Sequence, residues 1–295
     1  MNTAAALRCQ SAGRGNFARL ARWWVITAAG CLFLGATVMS APAEPPAWQS
    51  ELNTLRASET VIALLSPDRA AEADDARRRL DMLYRRLVAR YPRESAVRKA
   101  AGDHYWREDH VSNAIIEWEA AQALDPTDAD TSSALGGARL HEGLPRAACQ
   151  EFQRAVAAQP RAARYHFELG NVLYVFRHQL TGLPDLPDEN AVIREALVQL
   201  REAQDLAGTN VEFARGYAET FYGVPDPDWR EALDAWEHVR VLTKEAPDFA
   251  LSHLARVSLR LNRPDDAERY LDMIHDPKFS GLQAKLRQQA SKLRR

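Results

Sequence analysis

Residues 101–126 read AGDHYWREDHVSNAIIEWEAAQALDP, and residues 135–160 read LGGARLHEGLPRAACQEFQRAVAAQP. Laid over one another at a spacing of 34 residues, Ala101-Gly102 falls on Leu135-Gly136, Ala114 on Ala148, Trp118 on Phe152, Ala121 on Ala155 and Pro126 on Pro160. A further step of 34 reaches Leu169-Gly170. Small residues at fixed points let two helices approach closely, and a large side chain one turn after the Ala fills the space between them. The proline forbids continuation of the second helix.

These positions resemble the tetratricopeptide repeat (TPR), whose period is 34 and whose unit is a helix–turn–helix. The resemblance implies an all-α fold, a right-handed α-solenoid of stacked helix pairs, and binding rather than catalysis.

The register extends outward from this core. Counting back gives Leu80, Tyr84, Leu87 and Pro92 without a glycine matching Gly102, so residues 44–94 read as a degenerate first repeat and amino-terminal cap. Repeats follow at residues 95–128, 129–162, 163–210, 211–247 and 248–278. Gly143 is placed at an inter-helix turn, with Pro145 in the first turn of the helix after it. Residues 279–295 form a capping helix with an apolar stripe of Phe279, Leu282, Leu286 and Leu293 among basic residues. A solvated cap accounts for that basic tail, and an acidic partner or anionic lipid would suit it too.

The repeat at 163–210 carries 14 extra residues, because the Ala expected at position 182 appears at Ala196. Its insertion includes Gly182, Pro184 and Pro187, which rule out a regular helix there. The insertion is predicted to be a partner-contacting loop that exposes Leu180, Leu183 and Leu186. The competing reading folds those leucines back over the third repeat.

Residues 1–43 stand apart. Arg8, Arg14, Arg19 and Arg22 precede an apolar run from Trp23 to Met39, and Ala41-Pro42-Ala43 follows. That layout predicts a signal peptide cleaved after Ala43 and an exported, periplasmic chain. The 17-residue run 23–39 also suits an uncleaved membrane anchor facing the periplasm, and the arginine-rich, acid-free start also fits a mitochondrial presequence. Without this segment the chain holds 34 basic and 40 acidic residues, a balance of −6. Phosphate binding favours a basic surface, so no nucleic-acid partner is expected.

Chemistry is sparse. The eight histidines form no His-Glu-x-x-His pair, and the sequence carries no phosphate loop, dinucleotide fingerprint or Gly-x-Ser-x-Gly elbow. No catalytic, cofactor-binding or metal residue is assigned, no cofactor is expected, and Cys149 reads as an inert helix residue. A non-enzymatic scaffold for a cell-envelope complex is the expectation, with an accessory subunit binding an envelope polysaccharide or glycan as the alternative. In the resembling family the first helix of each repeat lines a concave groove. Carried across, that implies partner-binding positions at Lys99, Trp106, Arg107, Arg164, Phe167, Asn171, Tyr174, Arg215, Tyr222 and Arg256. Asp103, Ser133, Gly137, Leu140, His141, Glu219, Ser252 and Arg260 fall on the same face. Lys99 matches a carboxylate-clamp position of some members, but Asp103 and Ala134 stand where that clamp uses asparagine.

Overall fold

The computed structural model describes residues 45–65 and 69–295, so the proposed export segment lies outside the described residues. Residues 45–295 form one compact unit. Its helices are α1 (Ala47–Ala63), α2 (Ala70–Arg90), α3 (Ser95–Arg107), α4 (Val111–Leu124), α5 (Ala129–His141), α6 (Pro145–Ala158) and α7 (Ala163–Val175). Beyond them lie the one-turn α8 (Arg177–Leu180), then α9 (Glu189–Leu206), α10 (Val211–Thr220), α11 (Trp229–Leu242), α12 (Asp248–Arg260), α13 (Pro264–Asp272) and α14 (Ser280–Leu293). There is no strand among the described residues. α3 packs on α4, α5 on α6, α7 on α9, α10 on α11 and α12 on α13, and each pair stacks on the next to build an α-solenoid.

One small–large contact recurs within these pairs. A Cβ on Gly102 would lie 2.5 Å from the Trp118 ring, one on Gly136 2.7 Å from Phe152, and one on Gly170 2.6 Å from Leu200. Each glycine thus lets a first helix seat directly on the large residue of its partner helix. In the last two pairs the small position is Ala218 or Ala255 and the large one Trp236 or Leu271, all four fully buried.

The turns between paired helices share a second device. Asp109, Gly143 and Asn262 all take positive φ, at 60°, 73° and 56°. The amide of the next residue closes each turn, from His110 to the Tyr105 carbonyl at 2.8 Å, Leu144 to Arg139 at 2.8 Å and Arg263 to Ser258 at 2.9 Å. That is the six-to-one bond of a helix C-terminal cap, which needs one left-handed residue. Asp and Asn tolerate that conformation better than other side chains.

The insertion is a correction to the sequence reading. Leu180 is 0 % and Leu186 4 % exposed, and both join the third repeat's core with Leu173 and Val192, while Leu183 packs against it half-buried. α8 lies against α6, α7 and α9. Gly182, at a φ of 79°, lets the chain reverse so that its own amide reaches the Leu186 carbonyl at 2.8 Å. Arg146 binds the Thr181 carbonyl at 2.5 Å, and Asp188 caps α9 by accepting from the Ala191 amide at 2.8 Å. The leucines fold inward because the apolar edge of α7 and α9 offers them burial.

At the amino-terminal end, buried His104 of α3 ties three helices together. Its ring bonds Glu59 of α1 at 3.0 Å and Asp81 of α2 at 2.7 Å, and it stacks on Tyr84 at 4.5 Å. Burial opposes charge on this imidazole, but the two carboxylates outweigh burial and raise its pKa.

Candidate functional site

Nearly all the residues singled out for binding lie on first helices, whose exposed edge is the face in question. At its amino-terminal end Trp106 is 36 % exposed, with its ring 5.7 Å from Trp118 and 5.6 Å edge-on from His141. Trp106, Asp103, Arg107, Trp118, Ala134 and Gly137 line a cleft of about 300 Å³. Asp103 is not free to act as a clamp: it accepts the Trp118 indole N–H at 2.9 Å, and burial raises its pKa against that bond. Arg107, which lines the cleft, pairs with Glu59 of α1 at 2.5 Å.

Lys99 and Arg164, expected from different repeats, meet on Asp130 of α5. Lys99 Nζ lies 3.5 Å from that carboxylate, Arg164 pairs with it, and the Tyr165 hydroxyl donates to it at 2.8 Å. The hydrogen bonds and cations outweigh partial burial and lower the Asp130 pKa. Asp130 escaped the sequence reading, which followed groove positions and not the carboxylates between them. Its spacing to Arg164, one full period, was the available signal. Ser133 donates to Glu168 at 2.6 Å in the same manner.

The middle of the face is more buried than expected. Phe167 packs against Phe213 with the rings tilted and their centroids 4.5 Å apart, and its ring also fills the space left by Gly216. Tyr174 is half-buried, because a Cβ on Gly223 would sit 2.6 Å from its ring. Arg177 lies 5.6 Å over the same ring. Both aromatics therefore pack chiefly against the next repeat. Asn171 is half-buried beside them. Ser252 is buried outright, its hydroxyl donating to the Phe249 carbonyl at 2.7 Å.

Toward the carboxyl-terminal end the face opens again. Arg215 is exposed and lies 3.6 Å from Glu219. Tyr222 is 37 % exposed and hydrogen-bonds His253 Nδ1 at 2.9 Å. His253 stacks flat on Trp236 at 4.0 Å, and burial together with Arg256 lowers its pKa to about 4. It is therefore a neutral ring at ordinary pH, supporting Tyr222 from beneath. Tyr222, Arg256 and Arg260 enter a second cleft of about 660 Å³ shared with α14. The part played by α14 was not among the expected binding positions.

Among the described residues, no cluster of three or more His, Cys, Asp or Glu could hold a metal ion. No described helix is long and apolar enough to cross a membrane. Burial pushes the Cys149 thiol up to about 11, away from a reactive thiolate. What the face offers is aromatic area, cations with carboxylates nearby, and two clefts, an arrangement suited to holding another chain.

No protein-family profile and no curated protein sequence matches this chain. Solved structures do. YrrB, described as a TPR protein with an unusual peptide-binding site, superposes with a TM-score of 0.55 at 16% identity, covering 71% of this chain and 97% of its own. PilF of Pseudomonas aeruginosa gives 0.52 at 13%, covering 83% and 98%. MamA gives 0.50 at 16%, covering 67% and 94%. With the recurring glycine contacts, the helix pairing and these superpositions in agreement, the chain has the tetratricopeptide-repeat fold.

Proposed function

We propose that this chain is an exported, non-enzymatic scaffold that holds a peptide or helix of a protein partner along its first-helix face during assembly of a cell-envelope complex. The observation that carries the reading is the pair of half-exposed rings, Trp106 and Tyr222, each backed by buried aromatic residues at opposite ends of that face. A rigid ring that keeps an open edge buries much area on binding and loses little rotamer freedom. Mixed charge between them, with Arg164 beside Asp130 and Arg215 beside Glu219, suits a segment of mixed composition better than a polyanion. YrrB supplies a precedent of peptide binding on this fold. The export part rests on residues 1–43 alone, and mass spectrometry of the native protein should find a chain beginning at Glu44.

Capture of partners from envelope extract tests the reading. Trp106→Ala and Arg215→Ala should each weaken retention of a stoichiometric protein partner by about 1–2 kcal/mol, with melting unchanged or nearly so. Arg154→Ala, on the second helix α6, should leave capture intact. Normal capture by both face variants, or retention on glycan resin in place of a protein, would overturn the proposal.

A further inference from the structure

The basic carboxyl-terminal helix has two differently occupied faces. On one, Arg287 pairs with Asp272 of α13 at 2.7 Å, and Arg294 pairs with Asp265 at 2.6 Å and Glu268 at 3.0 Å. These cations belong to the cap and are satisfied. On the other, Lys285 and Lys292 turn toward α12 and line the 660 Å³ cleft with Arg256 and Arg260. Among the described residues, none of these four cations has a carboxylate within salt-bridge distance, and no acidic residue lines the cleft. Arg260 lies 5.5 Å over the Trp229 ring. Glu219, whose field reaches Tyr222, is engaged by Arg215 at the edge. The floor is apolar, formed by Leu259, Leu282, Leu286 and Leu293, of which Leu293 is 45% exposed.

A chain with more acidic than basic residues has gathered four uncompensated cations around an apolar floor in one place. Like charges brought together repel, and a complementary anion removes that repulsion on binding. We propose that this cleft is the anchor site for an acidic segment of the partner protein that carries bulky apolar residues. Its side chains enter between α12 and α14 while its carboxylates meet Arg256, Arg260, Lys285 and Lys292. The proposal rests on the groove reading above and specifies the chemistry of the partner at one end of it. Tyr222, at the junction of the cleft and the groove, marks where the bound segment passes from one to the other.

Three labelled helical peptides of about 16 residues, each spanning about 24 Å, serve as probes of the full-length chain. One carries leucines one turn apart flanked by Glu, a second the same leucines flanked by Lys, and a third Glu with Ala in place of Leu. The Glu/Leu peptide should bind, the other two far more weakly, and binding should weaken as salt rises from about 0.05 to 0.5 M. Arg256→Glu with Lys285→Glu should reduce affinity at least about tenfold. The neutral pair Lys285→Gln with Lys292→Gln should do so less steeply, and Leu293→Ser should weaken the Glu/Leu peptide with its melting unchanged. Trp106→Ala, which tests the broader reading from the other cleft, should leave this peptide's affinity unaltered, so the two proposals fail separately. Equal binding of the Lys peptide, no effect of charge reversal in a folded variant, or tighter binding to phosphatidylglycerol vesicles or to a single-stranded oligonucleotide than to the Glu/Leu peptide would overturn the proposal.

Discussion

At Gly136 a hydrogen atom stands where a Cβ would come within 2.7 Å of the Phe152 ring, and Phe152 is buried between helices. Gly136→Leu should therefore lower stability by about 1–3 kcal/mol through overpacking, read from the midpoint of a urea melt. An unchanged midpoint would mean that α5 does not seat on α6 as described. His253 shows a different residue-level effect. Its pKa is depressed to about 4 by burial and Arg256, so the folded state holds it neutral while the unfolded chain protonates it near 6.5. Its contribution is fully present above pH 6.5 and is lost as pH falls toward 4, by about 2 kcal/mol across that window after discounting for partial solvent access. His104 works in the opposite sense. Raised by its two carboxylates, it adds stability below its unfolded pKa that fades as pH rises through the folded value. Comparing wild type with His253→Gln isolates the first effect: thermal melts between pH 6.5 and 4 should diverge from wild type, the variant losing less. Parallel curves would show that His253 is not held neutral.

At the level of elements, the segment between α7 and α9 shows how composition can mislead. Gly182, Pro184 and Pro187 correctly exclude a regular helix beyond α8, but leucines in a loop are not thereby exposed. Leu180 is fully buried under α6, α7 and α9, and Leu186 follows it inward. Leu180→Ala should cost about 2–5 kcal/mol, because the cavity lies in packed core that relaxes only in part. A variant that melts with wild type while losing partner capture would restore the loop to a binding role. The turn elements make a related point. Gly143 announced its left-handed turn, whereas Asp109 and Asn262 take up the same conformation with side chains that only tolerate it.

For the whole molecule, each helix pair touches chiefly its neighbours, so stability is distributed along the stack and the two ends need closing. The amino-terminal end is closed by polar ties, with His104, Glu59, Asp81 and Arg107 joining α1 and α2 to α3. The carboxyl-terminal end is closed by α14, which buries Leu286 and Ala290 and pairs Arg287 and Arg294 with acids of α13. The sequence by itself determined the fold, because a solenoid repeats one local contact. Gly102 with Trp118, and Gly136 with Phe152, each meet within a single repeat, where fixed spacing encodes fixed geometry. It also placed most of the singled-out residues on one first-helix face, since first-helix positions follow from the same register. Only the tertiary structure decided which side chains on that face remain open. Phe167 and Tyr174 are taken up by Phe213 and Gly223 in the following repeat, and Asp130 draws Lys99 and Arg164 together across repeats. Whether a lysine or arginine of α14 is spent on the cap or left facing the cleft likewise depends on which side of the helix meets α13. Periodicity records that a residue is basic and on a helix; the rotation of that helix against its neighbours sets whether the charge is answered.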